Sequence, residues 1–341
     1  MPADAPFLPV DGPRLTPLPH GLLSVAQIVD DPNPHWRGGT VFQPDSCEPG
    51  RATTVVACGP NGVEGTVAKT PTGGGEPLSA ALPFTVYAMT TCAPVGWGDD
   101  LADLVARATR NLDAGESRAL EAVVWTGANE GPALIEPHLA ADTQTWATDH
   151  GAAKVELQSV AQVLTAGADI AATIGLLEQA MADCAGGQGV IHVPRSLLSI
   201  LGSKGLVEAR GPQLLTHGGN LVAGYSGEGV AVGPSGQDPT WIYGTGPVMV
   251  RRSAVSPAGR RPADFVDRTN NSTVFVVERT YVVDWGCCHF AMPVPAGDAP
   301  GNGGGNGGNG GNGGPLVINA TPDPQDPMTF SFQVTEAEPE P

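Results

Sequence analysis

Two adjacent cysteines and a histidine, Cys287, Cys288 and His289, stand in the run VVDWGCCHF, residues 282–290. Thiolate and imidazole are zinc donors, and a thiol beside an imidazole is also the pairing of a nucleophile with its base. The surrounding residues are β-branched and aromatic, which predicts an extended strand whose successive side chains point to opposite faces. Cys287 and His289 would then share a face, and Cys287 and Cys288 would not. Zinc sites usually also carry C-x-x-C pairs, and none occurs; Cys47, Cys58, Cys92 and Cys184 are isolated. The reading that follows is a strand interior packed with small, weakly polar side chains, so no metal ligand is assigned.

Other motifs fall short. GYSGEG, residues 224–229, places Glu228 where the nucleophile elbow G-x-S-x-G needs its last glycine. GSKGL contains Lys204 without a phosphate loop around it. His192 in VIHVP reads as a satisfied core histidine. Asp99, Asp100 and Asp103 read as the capped start of a helix sooner than as a cation site. The basic cluster RRSAVSPAGRRPADFVDR, residues 251–268, suits pairing between subunits better than DNA. No catalytic and no cofactor-binding residue is assigned, and the chain reads as a non-enzyme.

The elements that would position these residues are clearer. In 341 residues the net charge is −18, which makes a general nucleic-acid binder a poor expectation. The start MPADAPFLPVDGPRL lacks the charged and apolar regions of a signal peptide, and no apolar run reaches the roughly 20 residues of a membrane span. The expectation is a reducing cytoplasm with unpaired, buried cysteines. Residues 1–50 are proline-rich yet apolar, as in an arm that lies on another surface, such as another subunit. Residues 53–58 and 82–92 read as the strands of a hairpin around a Gly-rich loop. Residues 99–125 carry apolar side chains at i, i+3, i+4 and i+7, predicting a helix about 40 Å long. An α/β rhythm follows: a helix ending at Gly186, the strand GVIHV, a helix with Pro194 in its first turn, and strands in LVEAR, QLLTHGGNLVAG and TWIYGTGPVMVRR. Residues 273–294 are one bent strand or two. The run GNGGGNGGNGGNGG cannot build a core and reads as a linker to a small acidic tail, a segment that would add a strand to a neighbour.

The stretches DDLADLVARATRNLDAGESRALEAVVWTG, GGQGVIHVPRSLLSILGSKGLVEARGPQLLTHGGNLVAG, WIYGTGPVMVRRS and VERTYVVDWGCCHFAMPV cover most of residues 80–295. In that order and spacing they resemble the major capsid proteins of tailed double-stranded-DNA phages, more narrowly those infecting actinobacteria. The resemblance implies an α+β, Hong Kong 97-type fold: N-terminal arm 1–50, extended loop 51–82, peripheral domain 83–150 with its spine helix, axial domain 151–262, and return strands 263–297. A Gly/Asn linker, 298–315, and a tail, 316–341, lie beyond the family pattern. It further implies a homo-oligomer of hexamers and pentamers, joined through arm and loop, meeting portal, scaffold or decoration proteins. The shell would enclose DNA without sequence-specific binding or a membrane, after assembly in the host cytoplasm. Some members cross-link a loop lysine to a neighbour's asparagine. Lys69 falls in the loop and Asn270 or Asn271 would be the acceptor, but no residue pattern selects them. The alternatives are an encapsulin-like nanocompartment shell, a thiol or metal enzyme built on Cys287 and His289, and a secreted adhesin with a glycine spacer.

Overall fold

The computed structural model describes residues 15–43, 78–92, 101–131, 133–147, 155–234, 240–258, 266–267, 272–299, 316–323 and 326–336. Contacts divide the chain into residues 1–302 and residues 303–341. The first unit opens with α1 (Leu22–Val25), β1 (Gln27–Asp30), a 3-10 turn (Pro34–Gly38), β2 (Thr40–Phe42), β3 (Leu78–Ala81), β4 (Phe84–Cys92) and α2 (Leu101–Thr126). Then come β5 (Thr145–Ala147), β6 (Val155–Gln158), β7 (Gln162–Val163), α3 (Ile170–Ala185), β8 (Val190–Pro194) and α4 (Arg195–Ser203). It closes with β9 (Val207–Arg210), β10 (Gln213–Thr216), β11 (Leu221–Tyr225), β12 (Trp241–Thr245), β13 (Val248–Arg252), β14 (Ser256–Pro257), β15 (Val266–Asp267), β16 (Ser272–Trp285) and β17 (His289–Pro293).

The long helix forms as its apolar stripe requires. Leu104, Ala108, Leu112, Leu120 and Val124 are buried on one face of α2, and Gly115 does not interrupt it. That face lies on a sheet whose central strand is β16. One side of β16 takes β13, β14 and β15; the other pairs antiparallel with β4 from Thr273↔Cys92 to Tyr281↔Phe84. Phe84, Val86, Phe275, Val277, Tyr281 and Val283 share the core with α2.

A seven-stranded mixed sheet runs in the order β7-β17-β12-β8-β11-β10-β9. Both of its faces are covered, and the side chains alternate accordingly. Ile191, Val193, Val222 and Ile242 pack with α3 and α4, while Val190, Ala223, Tyr225, Trp241 and Tyr243 belong to the core of α2. Gly224 in β11 is required by the close approach of α4, since a methyl group there would overlap Leu198. Helix α3 is capped at its start by Asp169, whose side chain accepts from Ala172 N, and ends on left-handed Gly186. Asp298 adds a bond from Ile170 N, 2.9 Å, and an ion pair with Lys204, 2.7 Å. A four-stranded sheet, β2-β3-β6-β5, completes the unit. The second unit is a hairpin of β18 (Leu316–Asp323) and β19 (Asp326–Glu336) with a register shift at Pro322/Asp323.

Several expectations need correction. The arm is not merely laid on another surface: α1, β1 and β2 belong to the chain's own sheets and core, with Leu22 fully buried. Pro194 is the N-cap of α4, not its first-turn residue. Of the two alternatives left open for residues 273–294, the structure has the two strands, and they lie in two different sheets. Strand residues 53–58 and the caps Asp99 and Asp100 lie outside the described residues.

Candidate functional site

The break between β16 and β17 decides the chemistry of Cys287, Cys288 and His289. Cys287 is exposed with φ +59°, and Cys288 N donates to Gly286 O at 2.8 Å, so strand alternation does not hold there. Cys288 is buried and bonded to Cys184 at the end of α3, with Cα atoms 6.2 Å apart; Cys287 is disulfide-bonded as well. The expectation of unpaired thiols is overturned, because the turn delivers Cys288 to α3 instead of continuing a strand. His289 faces the core, where Nδ1 lies 3.1 Å from Ser159 Oγ and Nε2 3.1 Å from Leu139 O. Burial holds its pKa down at about 4. Neither a nucleophilic thiol nor a shared Cys287–His289 ligand pair results. Among the described residues no group of three or more His, Cys, Asp or Glu could hold a metal.

His192 is a satisfied core residue: Nδ1 lies 2.8 Å from Tyr225 Oη and Nε2 2.8 Å from Thr245 Oγ1, with burial lowering its pKa to about 3. The basic cluster pairs within the chain. Arg251 meets Asp31 at 2.5 Å and Arg252 meets Asp30 at 2.7 Å, across the parallel β1–β13 pair. The expected pairing between subunits is therefore corrected for these two arginines: the arm docked on β13 already supplies the carboxylates. Arg260, Arg261, Arg268, Lys69, Asn270 and Asn271 lie outside the described residues.

Sequence reasoning missed two buried carboxylates on α2. Glu116 pairs with Arg279 and accepts from Tyr281 Oη at 2.6 Å, bracing α2 against β16. Glu121 is wholly buried and accepts from Leu22 N, 3.2 Å, Ser226 N, 2.8 Å, and Ser226 Oγ, 2.8 Å. Burial raises its pKa; the bonds from Ser226 and Leu22 and the nearby Arg195 oppose the rise. Arg195 donates to Pro19 O, 2.9 Å, and Gly224 O, 3.1 Å, while Gly224 N donates to His20 O, 2.8 Å. Three segments distant in sequence, at Glu121, Arg195 and Gly224, thus converge on residues 19–22. The signal available beforehand was a glutamate inside the apolar stripe RALEAVVW.

An open groove of about 1060 Å³ lies beside β4. Its walls include Val86, Tyr87 and Met89 of β4, Ala122 and Val123 of α2, and Ile135. Met89 is 56% and Tyr87 41% exposed. Among the described residues, β4 pairs only with β16, and no strand there takes its other edge. Among its described lining residues no nucleophile, base and oxyanion donor come together.

No protein-family model matches the chain, and no curated protein matches it. Among solved structures, the chain is similar to one described as the capsid of a native GTA particle, with 11% identity, TM-score 0.45, and coverage of 84% of this chain and 95% of that one. It is similar to a chain from Microbacterium phage Oxtober96, with 13% identity, TM-score 0.43, and coverage of 83% and 90%. It is also similar to a chain from Mycobacterium phage Ogopogo, with 14% identity, TM-score 0.41, and coverage of 84% and 97%. At such identities a likeness concerns the course of the backbone and not the residues.

Proposed function

We propose that this chain is the major capsid protein of a tailed double-stranded-DNA phage, a structural subunit and not an enzyme. The observation that carries this reading is the groove beside β4, whose second edge has no strand partner among the described residues. A nine-residue strand edge flanked by exposed Tyr87 and Met89 is an aggregation hazard in a monomer and an asset in a subunit whose neighbours cover it. The arrangement of the resembling sequence stretches supports the same reading. In it, residues 1–50 act as arm, 51–82 as extended loop, 83–150 and 263–297 as peripheral domain, and 151–262 as axial domain. Residues 298–315 tether the tail 316–341. Hexamers and pentamers of one chain close an icosahedral shell, with arm and loop absorbing the differences in angle. Assembly takes place in the host cytoplasm, and portal, scaffold or decoration proteins dock on the shell.

Electron microscopy of the purified, concentrated full chain tests the proposal. Closed shells or ring-shaped capsomers are the expected result. A monodisperse monomer under conditions that keep the chain folded would overturn it. Shells that enclose an enzyme instead of DNA would favour the nanocompartment alternative.

A further inference from the structure

Among the described residues, β18 and β19 pair only with each other, as a two-stranded sheet of their own. Successive residues of a strand alternate between its faces, and directly opposed residues share one. The register therefore sorts the hairpin by residue type. Ile318↔Val334, Ala320↔Phe332 and Pro322↔Phe330 fall on one face, and all six are apolar. Asn319↔Gln333 and Thr321↔Ser331 fall on the other, followed by Val317↔Thr335. Charge is confined to the ends, at Asp323, Asp326 and Glu336, and all of it is negative. Such an alternation belongs to a sheet with one face packed and one in water. Two strands have no layer of their own to supply the cover, and a hairpin by itself is marginal in water.

We infer that the apolar face of this hairpin is covered by the same face of the hairpin of a second copy, so that two tails stack into a small four-stranded sandwich. The inference goes beyond the shell reading and rests on it only for the crowding that brings copies within reach. A face of Ile, Val, Ala, Pro and Phe without a charge among its pairs is complementary to itself, and a two-fold axis uses the same patch twice. Stacked sheets lie roughly 10 Å apart, a depth that interdigitated apolar residues fill. The sequence supplies the tether: residues 301–314 are Gly and Asn throughout, and a chain of that composition and length reaches about 20 Å, so tails anchored a few tens of ångströms apart can meet. Residues 316–336 contain no Lys or Arg, which leaves them little to offer a nucleic acid or an anionic lipid surface. Addition of a further strand at an edge is the poorer mode, because each strand carries a proline, Pro322 or Pro327, with no N–H to donate.

Two measurements on the full-length chain test this. The first places p-benzoylphenylalanine at Phe332 and irradiates a concentrated mixture of isotopically light and heavy copies. Covalent dimers are expected in which residues 316–336 of a light chain are joined to residues 316–336 of a heavy one. The same photoprobe at Gln333, on the polar face, is expected to give about a tenth of that yield or less. Equal yields from the two positions, cross-links from position 332 to residues 1–302 or to another protein, or none at all, overturn the inference. The second follows hydrogen exchange of the amides in residues 316–336 as the concentration of the chain is raised. Wild-type exchange is expected to slow by about tenfold or more, and exchange in a Phe330→Ser, Phe332→Ser double variant to stay fast. Wild-type exchange that does not depend on concentration overturns the inference. Shells whose tails never cross-link to one another sink the pairing and leave the shell reading standing. Tail-to-tail pairs in a chain that never forms shells do the reverse.

Discussion

Gly21→Ala isolates the anchoring of the arm. The backbone of Gly21 is extended, with φ −87° and ψ −172°, so alanine meets no conformational penalty there. The penalty is local: the new methyl group would overlap Glu121 Oε1. An exposed glutamate would swing aside, but Glu121 is held by both donors of Ser226 and cannot move without leaving them unpaired in the interior. The arm must lift instead. The first loss is the charged hydrogen bond from Leu22 N, roughly 1.5–3 kcal/mol. If the lift also exposes the fully buried Leu22 side chain, a further 1.5–3 kcal/mol follows. The expected destabilisation is therefore about 1.5–6 kcal/mol, concentrated in residues 19–25. Chemical denaturation of the chain measures the total, and hydrogen exchange at Leu22 and Gly224 reports where it falls. A variant within about 0.5 kcal/mol of wild type, with both amides as protected as before, would refute the reasoning.

Acidification tests the buried histidines. His192 and His289 are neutral in the fold, with pKa values depressed to about 3 and about 4, so each stabilises fully above its unfolded value near 6.5 and loses that contribution as pH falls. Asp284 works in the opposite sense. Burial raises it to about 6, although Arg251 opposes the rise, so its contribution favours the fold at low pH and is lost as pH climbs through 6. Between about pH 6 and 4, two slopes against one leave a net loss of roughly 1.4 kcal/mol per pH unit; a flat stability profile in equilibrium denaturation would contradict the assignment. Glu116→Ala leaves Arg279 beneath α2 with the longer contact to Asp113, 3.8 Å, and is expected to cost up to about 3–5 kcal/mol by urea denaturation, against much less for Glu116→Gln. Alkylation before and after reduction, read by mass spectrometry, should show Cys184 and Cys288 protected until reductant is added; free labelling of both in unreduced, unfolded chain would refute their pairing.

Much of this architecture was legible because it is periodic. The stripe from Leu104 to Val124 marks α2, and Gly186 marks the end of α3 through its left-handed turn. Strands β8, β11 and β12 of the seven-stranded sheet show as short apolar runs with glycines in or beside them. What stayed hidden was set by contacts between distant segments. β2, β5, β6 and β7 are two to four residues long and carry no pattern of their own; they are strands because a partner lies beside them. The destination of Cys288 depended on a left-handed residue at Cys287, which strand propensity argues against. The partners of Arg251 and Arg252 lie some 220 positions earlier, in an arm whose prolines suggested detachment. The groove beside β4 had no signature at all, since it is defined by which edge of a strand remains unpaired.

Trp125 carries a mechanical consequence. Its ring stands edge-on to Tyr225, 5.2 Å away, and to Tyr243, 5.1 Å away, while its indole N–H donates to Val232 O at 3.0 Å. The last turn of the rod is thus wedged into the back of the seven-stranded sheet, and the rest of the rod lies along the other. A load applied to either sheet reaches its counterpart through this wedge, through the Glu121–Ser226 bonds and through the short β12–β13 and β16–β17 connections. Deformation of the chain should accordingly be taken up at its margins, leaving the angle between the two sheets nearly constant.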